Sequence, residues 1–168
     1  MNADELLDDE SLNSNKLFDE NEYSTLIIGR DGFNKNQNHS ADLIESLFLQ
    51  NISRSECEEI YGKLKKLNAR KLLVDTLTSA KKTSEKAILC AACWECGLDF
   101  TNHFLFFTKL ACEDDFKLAM EALTVVENIE GNISMDELTQ GISIVQNSKS
   151  KNTSILDFLV KNIKQRIS

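Results

Sequence analysis

The stretch Phe107-Thr-Lys-Leu-Ala-Cys-Glu-Asp-Asp-Phe-Lys-Leu-Ala-Met-Glu-Ala-Leu123 decides the fold class. It reads as the end of an apolar helix, an acidic turn at Glu113-Asp-Asp115, and a second helix that contains alanines. The wider composition agrees with this. The 168 residues include no proline and only six glycines, whereas sheet-rich folds of this size normally need both at their turns. Nine phenylalanines, with leucine, isoleucine and alanine, supply ample core material. The chain is therefore expected to be all-α, with helices joined by short polar loops.

Helical signals recur on both sides of this stretch. Leu43, Ile44, Leu47 and Phe48 form an apolar stripe. Ser53 and Glu56 have the spacing of a capping box, and Ile60, Leu64 and Leu67 continue that helix. Leu73, Val74, Leu77 and Ala80 mark the next one. Thr83 starts a fourth, with eight consecutive apolar residues from Ala87 to Trp94; a helix apolar all round belongs in the centre of the fold. Two further helices are expected over Phe100–Cys112 and Asp115–Ile129. Ser134 and Glu137 form a second capping box for a helix ending near Asn147, and Ile155, Leu159 and Ile163 stripe a last one from about Thr153 to Ile167.

The chain is also similar to itself. A shift of 32 places Ala87 on Ala119, Cys90 on Ala122, Trp94 on Val126 and Glu95 on Glu127, and a shift of 33 places Leu72 on Leu105 and Leu77 on Leu110. Such a period, with two helices in it, marks helical solenoids. Over about Ala69–Gly131 the pattern resembles a HEAT repeat. The family's first-helix proline is absent, and Lys117 lies near where its second-helix arginine is expected, so HEAT, armadillo-like and other α-α superhelices remain open. The resemblance implies a right-handed α-α superhelix of about three to four helix pairs over residues 41–168, preceded by a segment over residues 1–40.

That segment carries the charge. Of the net −8, the first 22 residues contribute eight acidic side chains against Lys16 alone, while the rest holds 18 basic and 19 acidic side chains. The expectation is an acidic, disordered arm with a short helix around Leu6 and Leu7, then an extended run Tyr23–Ile28, a turn at Gly29–Gly32 and a polar linker Asn34–Ser40. A near-neutral body argues against a general grip on nucleic acid. The acidic start lacks a signal peptide's features, no apolar run approaches the ~20 residues of a membrane helix, and five cysteines in mostly helical context fit a reducing compartment. A cytoplasmic protein follows, with no membrane contact.

Three local patterns carry candidate chemistry. Cys90-x-x-Cys93-x-x-Cys96 has spacing suited to zinc or an iron–sulfur cluster, with Cys112 or His103 completing the set. On a continuous helix, however, Cys90 and Cys96 stand about 9 Å apart along the axis, too far for one tetrahedral ion. Three small apolar residues in a crowded helix is the better reading. Glu130–Glu137 imitates the second half of a calcium-binding EF-hand loop, yet the place that must supply the first carboxylate is Val126. Lys63, Lys65, Lys66, Arg70, Lys71, Lys81, Lys82 and Lys86 oppose only Asp75 and Glu85, which suits an anionic ligand or, more commonly, solvated helix faces.

Catalysis has little support. The two histidines, His39 and His103, precede Ser40 and Phe104, not the glutamates that HEAT-like di-iron hydroxylases require. HEAT-like alkylpurine DNA glycosylases use a basic aromatic cleft, which a near-neutral body does not suggest. No P-loop, Gly-x-Ser-x-Gly or HExxH pattern occurs. Phe100, Phe104, Phe106 and Phe107 cannot share one helix face: core is favoured, and any left exposed would anchor a partner. The expectation is a non-enzymatic scaffold without cofactor, monomeric or weakly dimeric, that binds a protein partner along a helical surface. Its candidate contacts are Lys81, Lys82, Lys86, Lys117, Phe104 and Phe107, and its rival is a nucleic-acid- or metal-dependent activity at the lysine patch or the cysteine run.

Overall fold

Backbone caps fix where the helices begin. Ser53 Oγ accepts from Glu56 N while a Glu56 oxygen accepts from Ser53 N at 2.8 Å, and Ser134 with Glu137 repeats the arrangement. Asp115 accepts from Leu118 N at 2.8 Å. Each cap satisfies amide donors that a helix start leaves without partners. Left-handed residues end two helices: Asn68 at φ 48° and Gly97 at φ 57°. Glycine adopts that conformation without steric cost, so the break after the apolar run Ala87–Trp94 falls at Gly97.

The structure, a computed structural model, describes residues 39–49 and 51–167, within a unit that spans Gln37–Ser168. The expectations for the acidic arm, the extended run Tyr23–Ile28 and most of the linker lie outside the described residues. The helices are α1 (39–46), α2 (Arg54–Lys66), α3 (Arg70–Ser79), α4 (Thr83–Glu95), α5 (Phe104–Leu110), α6 (Phe116–Glu127), α7 (Met135–Gln146) and α8 (Thr153–Ile167). Among the described residues there is no strand. The fold is all-α.

Two boundaries differ from expectation. His39 and Ser40, read as linker, are helical, and Ser40 is buried. The helix expected over Phe100–Cys112 is α5 alone, preceded by a separate 3-10 turn at Thr101–His103. Asp99 causes this break, because its carboxylate accepts from Thr101 N at 2.9 Å and from the Thr101 hydroxyl, which turns the chain before α5 starts. At the other end Cys112 N and Glu113 N donate three residues back, to Lys109 and Leu110, so the last turn tightens and stops.

Packing joins neighbours in sequence and alternate helices. α3 packs on α4, α5 on α6 and α7 on α8; α4 also packs on α6, α5 on α7 and α6 on α8. Hydrogen bonds show that α6 and α8 run parallel. Near their starts, Asn152 Nδ2 donates to the Glu113 and Asp114 carbonyls at 3.1 and 3.2 Å, and Lys151 N donates to Asp114 Oδ1 at 3.1 Å. Near their ends, Arg166 Nη1 donates to the Ile129 carbonyl at 2.7 Å and Nη2 to that of Val126 at 2.9 Å. One continuous apolar core runs through the bundle, with Leu64, Leu73, Leu89, Phe107, Leu159 and Ile163 fully enclosed. Gly141 lets α7 come close to α5, since a Cβ there would sit 2.9 Å from the Phe104 ring.

Candidate functional site

The cysteine run sits in the core. Cys90 and Cys93 lie on α4 and Cys96 caps its end, and all three are buried among apolar side chains. Burial is the main cause that pushes the Cys90 and Cys96 thiols up to about 12, and it raises Cys93 well above its usual value. At neutral pH these are protonated, unreactive thiols. Among the described residues no three His, Cys, Asp or Glu side chains come together in a set that could hold a metal ion. In the EF-hand-like stretch, Val126 is fully buried and the Glu137 carboxylate accepts from the Ser134 hydroxyl at 2.7 Å. His103 is half-buried, and burial followed by the charge of Arg70 pulls its pKa down.

The lysine patch is partly answered by carboxylates. Lys63 pairs with Glu59 at 2.6 Å, Lys71 with Asp75, and Lys82 with Glu85 at 3.0 Å. Lys81 and Lys82 are exposed at the α3–α4 corner, Lys86 is half-buried on α4, and Lys117 is exposed on the first turn of α6. The two phenylalanines named as candidate contacts correct the expectation. Phe104 and Phe107 are 1% and 0% exposed, so neither offers an anchor. Phe100 is buried as well, and its ring meets Phe107 edge-on at 5.4 Å. Because Phe100 lies ahead of the 3-10 turn and not on α5, three of the four rings reach the core from two elements, and Phe106 is half-buried.

Sequence reasoning missed the feature that stands out on the surface. Six large hydrophobic residues are exposed among the described residues, and three of them, Phe116, Met120 and Phe158, line one groove between α6 and α8. They are 62%, 38% and 59% exposed. Leu123 and Ile155 also line it and are themselves buried, Ser154 stands on the α8 side, and Glu127 is the one charged residue. The groove encloses about 250 Å³. Its α6 side is the row Phe116, Met120, Leu123, Glu127, at the three- and four-residue spacing that keeps side chains on one helical face. The polar bonds at the two ends of the α6–α8 pair hold the helices parallel, and between those ends the lips stay apolar and open to solvent. Three exposed apolar side chains gathered along one groove, rather than scattered singly, make it the candidate contact site.

Two other clefts are less informative. One of about 400 Å³ between α1 and α2 contains Glu56, Glu59 and Lys63, whose charges are already spent on a cap and an ion pair. Another of about 180 Å³ follows the ends of α4 and α6, where Trp94 Nε1 donates to Glu121 at 2.8 Å and Asp99 is engaged by Thr101. No family model, curated protein or solved structure matches this chain.

Proposed function

We propose that this chain is a non-catalytic helical-repeat module that binds a protein partner in the groove between α6 and α8. The observation that carries the reading is the row of exposed apolar side chains, Phe116, Met120 and Phe158, above the buried Leu123 and Ile155. Such anchors in a pocket are what supply binding energy at protein interfaces. The repeat architecture is supported by the packing of each pair on the next, α5 on α7 and α6 on α8, and by the hydrogen bonds that join the start of α6 to that of α8 and the end of α6 to that of α8. A HEAT-like or armadillo-like superhelix fits that pairing. A cytoplasmic location fits the free thiols, and no helix of the described residues is long and apolar enough to cross a membrane.

The rival reading, binding of nucleic acid by the lysine patch, has less support because Lys63, Lys71 and Lys82 are engaged by carboxylates. A photo-reactive phenylalanine analogue separates the readings when placed at position 158 and, as a control, at the exposed Lys71 position. Adducts with a protein partner in the native extract should form from position 158 and be lost on Met120→Glu. Equal adducts from both positions, or none from position 158, would remove the groove as the binding surface.

A further inference from the structure

We infer that the partner presents a short amphipathic helix, seated lengthwise in the α6–α8 groove with a lysine or arginine at the end that meets Glu127; the inference rests on the protein-binding reading above. The shape of the groove selects a helix. Two parallel helices, tied at both ends by bonds from Asn152 and Arg166 to backbone carbonyls, leave a groove between them. The α6 side of the groove, Phe116 to Glu127, runs for about 16 Å, or roughly three helical turns, and the α8 side, Ser154 to Phe158, covers about one turn of that length. Apolar contacts recur along it at helical spacing on the α6 side and come from Phe158 and Ile155 on the α8 side. A third helix with a stripe at i, i+4 and i+7 meets all of these positions at once, which is the helix-in-groove mode of recognition.

Size and charge narrow the occupant further. Seven residues line the groove, against roughly 20–30 a side in an interface that holds two folded proteins together. A second copy of this chain would need contacts well beyond the groove, whereas a short helix can lie along its α6 row. Glu127 is the one charged lining residue and it is exposed, while the Arg166 guanidinium at that end of α6 is engaged with the backbone carbonyls of Val126 and Ile129. A cationic residue on the partner complements that end, and the rest of the contact is apolar.

The full-length chain is titrated, by fluorescence anisotropy, into a labelled alanine–lysine peptide of about four turns with leucines at i, i+4 and i+7 and lysines at both ends. A second peptide keeps the leucines and lysines but replaces two central alanines with proline, which prevents the helix. The striped peptide should bind at least about tenfold more tightly than the proline version. Phe158→Glu and, independently, Met120→Ser should weaken it by a similar factor, and Glu127→Gln by about two- to fivefold. Equal binding of both peptides, lost on Phe158→Glu, would overturn the helix and leave the protein-binding reading standing. Failure of both would overturn the inference, and the cross-link from position 158 then decides the broader reading on its own. A cross-link from position 158 to the same chain, or to a second copy, would also overturn it, because the groove's occupant would then be this protein itself.

Discussion

α6 packs against both α4 and α8, and the two contacts differ in kind. Toward α4 the packing is the most extensive between any two helices of the fold, and α4 contributes the buried Ala87, Leu89, Cys90, Ala92 and Cys93. Alanine and cysteine let helix backbones come close, and the distance between two helix axes follows the side chains at the contact. Toward α8 the packing is slighter, and bulky Phe116, Met120 and Phe158 stand at the lips of an open groove. There the helices are joined mainly by polar bonds at their ends. One side of α6 is therefore built as core, and the other carries the groove proposed to take a partner. Both sides are apolar in sequence; what separates them is how closely the neighbouring helix approaches.

The largest effect is expected on the closed side. Leu89→Ala should lower unfolding free energy by about 2–5 kcal/mol, read from the denaturant midpoint, because Leu89 is fully buried on α4 and its removal leaves a cavity. A loss below about 1 kcal/mol would show that α4 is not the sealed side. Arg166→Ala comes next, at about 1.5–3 kcal/mol. It frees carbonyls of Val126 and Ile129 and separates the ends of α6 and α8. Lysine should restore little of this, since a single ammonium cannot reach both acceptors in the guanidinium's fixed geometry. Full rescue by lysine would show that only the charge matters.

Cys93 gives a smaller effect on the closed side. Cys93→Ala should cost on the order of 1 kcal/mol, and serine more, because it buries a hydroxyl among apolar groups. The thiols also make stability depend on pH. Burial lifts Cys90 and Cys96 from the ordinary 9.0 to about 12, so above about pH 9 they ionise in the unfolded chain before they do in the folded one. The folded state then holds more protons than the unfolded, and stability should fall as pH rises from 9 toward 12. The size of that fall should shrink in the Cys90→Ala variant, which a pH series of urea melts can check. The smallest effect belongs to the open side: Phe158→Glu should change stability by no more than about 0.5 kcal/mol. A larger loss would make Phe158 a core residue and the groove a packing defect.

Much of the fold was legible in the sequence because its signals are local. The two capping boxes at Ser53 and Ser134 and the apolar stripes through Leu73, Val74 and Leu77 or Ile155, Leu159 and Ile163 each fix a helix within a few residues, and those side chains are buried. The 3-10 turn was not legible, since the helical signal of Phe104–Leu110 hid the effect of Asp99 on the residues just before it. The site was less legible than the fold. Phe104 and Phe107 stand on the same short helix as Lys109, and only their contacts with other elements decide that they are enclosed. The groove is harder still, because the exposure of Phe116, Met120 and Phe158 depends on where α8 lies against α6, a contact between residues some forty positions apart. One signal was present. The apolar residues of α6 include Phe116 and Met120 beside Leu118, Ala119, Ala122, Leu123, Val125 and Val126, more of its circumference than a single buried face requires.

The three methionines of the chain, Met1, Met120 and Met135, allow the central claim to be tested directly. Met120 lines the groove, and Met135 is also exposed, at 56%, but at the start of α7 and outside the groove. A methyl NMR spectrum of isotope-labelled methionine in the full chain therefore carries a reporter and a control during titration with the leucine-striped peptide. The Met120 resonance should move progressively to saturation while that of Met135 stays in place. Equal movement of both, or movement of Met135 alone, would contradict the assignment of the α6–α8 groove as the binding site.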